Sequence, residues 1–324
     1  MNTSYIYSAN RVNALAADLL QPADIERLLE ASTVRERVGA LQESYLAMYM
    51  GSDSTDVSAA LEASEVKTKQ LLSTIAPDPT LLQVLWYRHD IHNLRVFIKG
   101  RVLDYDYETM QPHLSSAGIY TAEYLYEHFT QDTLYRLSPE LHDGYHAAWR
   151  LAESSKFDEL DTELDKAYFS GIARLAEVTN NEFVRVFVKM EIDLHNISAT
   201  LRTLTVSAFD LSKIFVSGGT FAIEQCSTYE QATQQLANYG GQEYWLAALS
   251  DYQEQQHTTA FDRLRDVYRL RFTTERVHDM FSVASLFAYV LRVQQSAATI
   301  RTIMVGADTG VPIDTIRTQL RIKN

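Results

Sequence analysis

Residues 88–100 read RHDIHNLRVFIKG and residues 191–204 read EIDLHNISATLRTL, so that Asp-Ile-His-Asn-Leu and Asp-Leu-His-Asn-Ile recur 103 residues apart. The same offset maps Asp90 onto Asp193, Asn93 onto Asn196, Ile98 onto Leu201 and Lys99 onto Arg202. Repetition at a long fixed period marks a chain built from stacked equivalent units, so any acceptable fold gives the two copies equivalent surroundings.

Each copy carries an apolar stripe spaced by three and four, Tyr87, Ile91, Leu94, Ile98 and Val102 in one and Met190, Leu194, Ile197, Leu201 and Thr205 in the other. That spacing is the buried face of a helix. A second step of 103 reaches Val293, Ala297, Ile300 and Met304, which keep the spacing, while Ser296 and Thr299 stand where the Asp and Asn were. Behind each helix comes a break containing Gly118, Gly219 or Gly310, expected to supply a backbone turn with positive φ. With only 12 Gly and 6 Pro in 324 residues, turns are few and the chain reads as all-α. The N-terminal stretch predicts a helix bearing Ile6, Leu15, Leu19 and Leu20, followed by one that Pro22 starts and whose positive end suits Asp24 and Glu26. This stretch looks like the half unit that the C-terminal segment lacks. Three pseudo-equivalent units are expected, 1–104, 105–207 and 208–324, closed into a three-fold arrangement by the two ends of the chain.

A formal charge of −13 argues against nucleic acid as a partner and against a polybasic membrane anchor. No basic stretch followed by an apolar core opens the sequence, and no run of 18 apolar residues spans a bilayer, so neither a signal peptide nor a membrane helix is expected. The single cysteine, Cys226, forms no intrachain disulfide and reads as a small buried hydrophobe.

His89, Asp90 and His92, together with the dipeptides His142-Asp143 and His278-Asp279, invite comparison with metal phosphohydrolases that bind their ions through His-Asp pairs. Against that, Glu191 and Ile192 occupy the places of Arg88 and His89 in the second copy, so one ligand is missing there. The preferred reading makes Asp90, Asn93, Asp193 and Asn196 structural: polar groups bonded to neighbouring helices that fix one packing register. Neither a phosphate-binding Gly-x-x-x-x-Gly-Lys-Ser/Thr nor a Gly-x-Ser-x-Gly motif is present, and no catalytic residue, metal or cofactor is expected. One basic pattern survives, Lys99 with Arg202 at one period and Arg95 with Arg301 at two. In a chain this acidic, those positives are candidates for meeting an acidic partner, against the plainer reading of a solvated helix face.

The opening YSANRVNALAADLL, the two repeated helices, the connection FVSGGTF and the closing VQQSAATIRTIMVGADTGVPIDTIRTQL together resemble the C subunit of bacterial and archaeal V/A-type rotary ATPases, equivalent to the d subunit of the vacuolar enzyme. The resemblance runs from about Tyr5 to Leu320. It implies a funnel-like ring of three helical units and a non-catalytic role. It places one copy per complex on the cytoplasmic face of the membrane, where it would join the central shaft of D- and F-type subunits to the proteolipid ring and pass on torque for proton or sodium transport. The alternatives carried beside it are a helical metal-dependent phosphohydrolase and a generic helical protein-binding scaffold.

Overall fold

The computed structural model describes residues 3–51, 55–205, 210–279 and 281–320. Among these residues the chain is all-α, with short 3-10 turns in the connections and no strand. In order the helices are α1 (Ile6–Ala16), α2 (Pro22–Glu30), α3 (Val34–Gln42), α4 (Val57–Ile75), α5 (Gln83–Val102), α6 (Tyr107–Met110), α7 (Ala122–Thr130) and α8 (Pro139–Glu153). They continue with α9 (Phe157–Thr179), α10 (Glu182–Leu204), α11 (Tyr229–Gln235), α12 (Gln242–Gln255), α13 (Thr259–Thr274), α14 (Ala284–Asp308) and α15 (Ile313–Gln319). By internal packing there are two compact units, Thr80–Asp262 and a second made of Met1–Pro79 with Arg263–Asn324. Of the boundaries expected from the repeat, the one at 207/208 lies outside the described residues. The other, at 104/105, falls in the turn after α5, where Asp104 takes φ 55°.

Polar side chains start α7, α8 and α10 in the Thr80–Asp262 unit. Thr121 caps α7, Ser138 caps α8 ahead of Pro139 at the first helical position, and Asn181 caps α10, each accepting from a backbone N–H that the helix leaves unpaired. Helices α5, α8 and α9 pack mutually, and α10 lies on α9. The α8 cap is itself tied into this packing: the Tyr87 hydroxyl is 3.1 Å from Ser138 Oγ, and Arg174 Nε on α9 donates to both Glu140 oxygens at 2.8 and 2.9 Å. The expected stripes are buried at Tyr87, Ile91, Leu94 and Ile98 and at Met190, Leu194, Ile197 and Leu201, while their last members, Val102 and Thr205, are exposed where each helix runs out.

The other unit is organised by α14. Its first two turns, Ala284 to Leu291, are buried on every side, as expected of a helix apolar all round. Further on, Val293, Ala297, Ile300 and Ile303 form a one-sided stripe. Helix α1 lies on α14, and its buried face is Ser8, Ala9 and Val12 rather than Ile6 and Leu15, which are half-buried. Pro22 is the first residue of α2, and Asp24 accepts from the Gln21 N–H at 2.9 Å. Beyond α14, Gly310 takes φ 74°, the Val311 N–H reaches Gly306 O at 2.8 Å and the Gly310 N–H reaches Ala307 O at 3.3 Å, a left-handed cap that turns the chain into α15. Residues from opposite ends of the sequence then share one core, Ile25, Leu28, Leu41, Leu46 and Leu61 packing with Ile300, Ile303, Ile316 and Leu320.

Ile316 is the residue through which α15 enters this core, so Ile316→Ala should cost about 2–4 kcal/mol of stability by urea titration of the full chain. Arg317→Ala, which breaks an exposed pair with Glu26, should shift the midpoint far less.

Candidate functional site

Asp90 and Asn93 sit one turn apart on α5, fully buried, and both face the connection that leads to α7. Asn93 pairs with Ser115 as one strand pairs with another: Nδ2 donates to Ser115 O at 2.9 Å and Oδ1 accepts the Ser115 N–H at 2.8 Å. Asp90 accepts the Ile119 N–H at 2.9 Å on one oxygen and the Tyr120 N–H at 3.1 Å on the other. The two histidines of the motif serve the same segment, His89 Nδ1 lying 2.9 Å from Ser115 Oγ and His92 Nε2 2.9 Å from His113 O. A segment without regular structure is therefore held to the helix by side chains that supply the partners its backbone would otherwise lack.

The second copy is built alike. Asn196 Nδ2 donates to Val216 O at 2.8 Å and Oδ1 accepts the Val216 N–H at 2.9 Å. Asp193 accepts the Thr220 N–H at 2.8 Å and is also bonded by the Thr220 and Tyr239 hydroxyls. Apart from Tyr239, which follows α11, the partners lie on the connection following each helix, not on neighbouring helices as expected from the residue pattern. The physical reason is supply: helix backbones satisfy their own groups, and the irregular connection is where unpaired N–H and C=O groups remain. The helix residues repeat at 103, but Ser115 and Val216, like Gly118 and Gly219, are 101 apart, so the first connection is two residues longer and still meets its helix in the same way. In the third copy Ser296 and Thr299 are buried, and no carboxylate or amide stands at those positions.

The glycines have a different cause from the one expected at two of three positions. Gly118 and Gly219 do not take positive φ; a Cβ on either would collide with the carboxylate oxygen of Asp90 or Asp193. Aspartate and glycine are thus matched, the missing side chain being the space the carboxylate fills.

Burial pushes the Asp193 carboxyl above its ordinary value of 3.8, against the pull of its hydrogen bonds from Thr220 and Tyr239. Cys226 is buried, and burial pushes its thiol up as well.

The four repeated cations are each engaged within the chain. Arg95 Nε is 2.7 Å from Asp161 on α9, with Asp165 at 3.3 Å, and Lys99 lies 3.6 Å from Asp161. Arg202 donates to Ser198 Oγ at 3.1 Å, and Arg301 is 3.8 Å from the buried Glu65. A cavity of about 860 Å³ opens in the unit built from both ends of the sequence, lined among others by Asn13, Leu20, Ile25, Arg271, Arg292 and Gln295. His89 and Asp90, the first ligands that a metal phosphohydrolase would need, are committed to Ser115, Ile119 and Tyr120.

The family model described as ATP synthase (C/AC39) subunit matches residues 10–319. The C subunit of the A-type ATP synthase of Methanosarcina acetivorans is 24% identical, across 98% of this chain and 93% of that protein. The corresponding protein of Thermococcus onnurineus is 25% identical across 97% of this chain and 89% of its own length. The C subunit of the V-type sodium ATPase of Enterococcus hirae is 20% identical across 94% of each. No described helix is long and apolar enough to cross a membrane.

Two outcomes follow from the clamps. Gly219→Ala and Gly118→Ala should each cost about 1–3 kcal/mol, because the added methyl must displace a buried carboxylate from its donors. Asp193→Ala should be worse than Asp193→Asn, since it leaves the Thr220 N–H and two hydroxyls without an acceptor. The pH dependence has a definite sign. With its carboxyl raised in the folded state, Asp193 favours folding fully below pH 3.8 and progressively loses that contribution as pH rises through the folded value. The stability of the native chain relative to Asp193→Asn should therefore fall on going from acid toward neutral pH, which urea titrations at several pH values read directly.

Proposed function

The chain belongs to the ATP synthase (C/AC39) subunit family and is a non-catalytic subunit of a V/A-type rotary ATPase, and from that membership we propose that it couples the central shaft to the proteolipid ring. The observation that carries this reading is the match of one family model along nearly the whole chain, joined by relatives collinear with it over almost their full length. In this reading the protein lies on the cytoplasmic face as a peripheral component, one copy per complex, with D- and F-type shaft subunits above and the ring below. The three pseudo-equivalent units 1–104, 105–207 and 208–324 form the funnel that receives the foot of the shaft.

Torque transmission asks for shape and stiffness. Close-packed helices compress little, and the Asp and Asn clamps fasten the connections that would otherwise give first. Arg95, Lys99, Arg202 and Arg301 are proposed as interface cations. Lys99 and Arg301 keep 46% and 49% of their side chains exposed despite their internal partners, so an acidic partner can reach them.

Retention of the purified protein by the detergent-solubilised ring, and separately by purified shaft subunits, is the expected result. Failure to bind either, while the shaft still binds its catalytic head, would remove the coupling role and leave the generic scaffold reading. Lys99→Glu with Arg202→Glu should slow association about ten-fold at low salt and much less at high salt. Unchanged binding at low salt would take these residues out of the interface without touching family membership.

A further inference from the structure

We propose that Asp132, His142 and His146 form a binding site for a divalent transition metal ion of the zinc class. Among the described residues, each of these three offers a ligand atom within 4.8 Å of those of the other two. His142 and His146 are four residues apart on α8, hence on one face of the helix, with ring centroids 4.5 Å apart. Asp132 arrives from a separate segment, the turn after α7, where it takes φ 53° and the next residue's N–H is bonded to His128 O at 2.8 Å. The third ligand is therefore held in place by backbone.

The distances suit coordination. Metal–ligand bonds of about 2.0–2.2 Å place neighbouring donors of a tetrahedral site roughly 3.3 Å apart, and His146 Nε2 already lies 3.1 Å from Asp132 Oδ1. Asp143 stands outside the triad, with Oδ1 3.0 Å from His142 Nδ1. A carboxylate there accepts the Nδ1–H and leaves the lone pair on Nε2, the arrangement by which an outer carboxylate fixes the tautomer of a ligating histidine. Two imidazoles with one carboxylate suit Zn²⁺, Co²⁺, Ni²⁺ or Cu²⁺ and disfavour Mg²⁺ and Ca²⁺, which prefer all-oxygen sites. All three side chains are partly exposed, so water completes the shell.

The ligand set belongs to one repeat only. Counted from the residue that precedes each helix, Ser138 before α8 and Gly241 before α12, Trp245 and Leu249 stand in the places of His142 and His146, and both are buried hydrophobes. The shared scaffold does not account for the pair of histidines. A bound ion would tie the α7–α8 connection to α8 and place two positive charges on an acidic protein. The site is independent of the Asp and Asn clamps and of the coupling role.

The test is calorimetric titration of the tag-free full chain with ZnCl₂, with the visible absorption of Co²⁺ as a second readout. The expected result is one ion per chain, Co²⁺ bands of low coordination number, and no comparable uptake of Mg²⁺. Asp132→Asn, on an exposed turn, should weaken binding at least ten-fold while the circular dichroism spectrum is retained, and His142→Ala with His146→Ala should abolish it. Asp143→Asn should weaken it about ten-fold through the tautomer of His142. No zinc uptake by the native chain, or uptake of unchanged affinity in the Asp132 variant or in the double histidine variant, would overturn the proposal.

Discussion

A carboxylate taken out of water must find donors, and a stretch of connection outside any helix or sheet must find partners for its backbone. At Asp90 and Asp193 these two needs answer each other. The carboxylate is buried because the connection covers it, and the connection lies where it does because the carboxylate holds its N–H groups. Asn93 and Asn196 add a geometry that neither charge nor apolar contact provides, one amide meeting both backbone groups of a single residue. Removing one side of such an arrangement strands the other, so each clamp tends to stand or fall as a whole.

For a component of a rotary machine this has mechanical meaning. Helices are stiff along their axes, and compliance resides in the connections between them. Here the two connections that follow the repeated helices are each pinned to the helix behind at two points, Ser115 with Ile119–Tyr120 and Val216 with Thr220. The third repeat ends differently, in a left-handed glycine cap leading into α15, with Ser and Thr in place of the polar pair. Its connection is secured by apolar packing of Ile316 and Leu320 instead.

Much of this is legible in the amino-acid order because its two strongest signals are periodic. The helical stripes and the offset of 103 rest on side-chain types at fixed spacing, and spacing survives folding unchanged. The exact partner of a polar residue does not: His89 and Ser115 are read as unrelated until the connection folds back. Gly118 is visible as a break, but a glycine required for φ and one required for closeness look the same in a string of letters. The face of α1 is not marked by its largest apolar residues. Ile6 and Leu15 are its large apolar side chains, whereas the buried face is Ser8, Ala9 and Val12. The triad at Asp132 has half a signal, two histidines four apart, and its third member comes from a separate turn.

The unit that joins Met1–Pro79 to Arg263–Asn324 also imposes an order on how the protein comes into being. Residues 80–262 pack within one compact unit, all of which is synthesised before the C-terminal segment. The first helices depend on the last: Ile25, Leu28 and Leu61 share their core with Ile300 and Ile316, which are made at the end. Until those are made, the helices of Met1–Pro79 lack part of the apolar surface that they pack against in the finished unit.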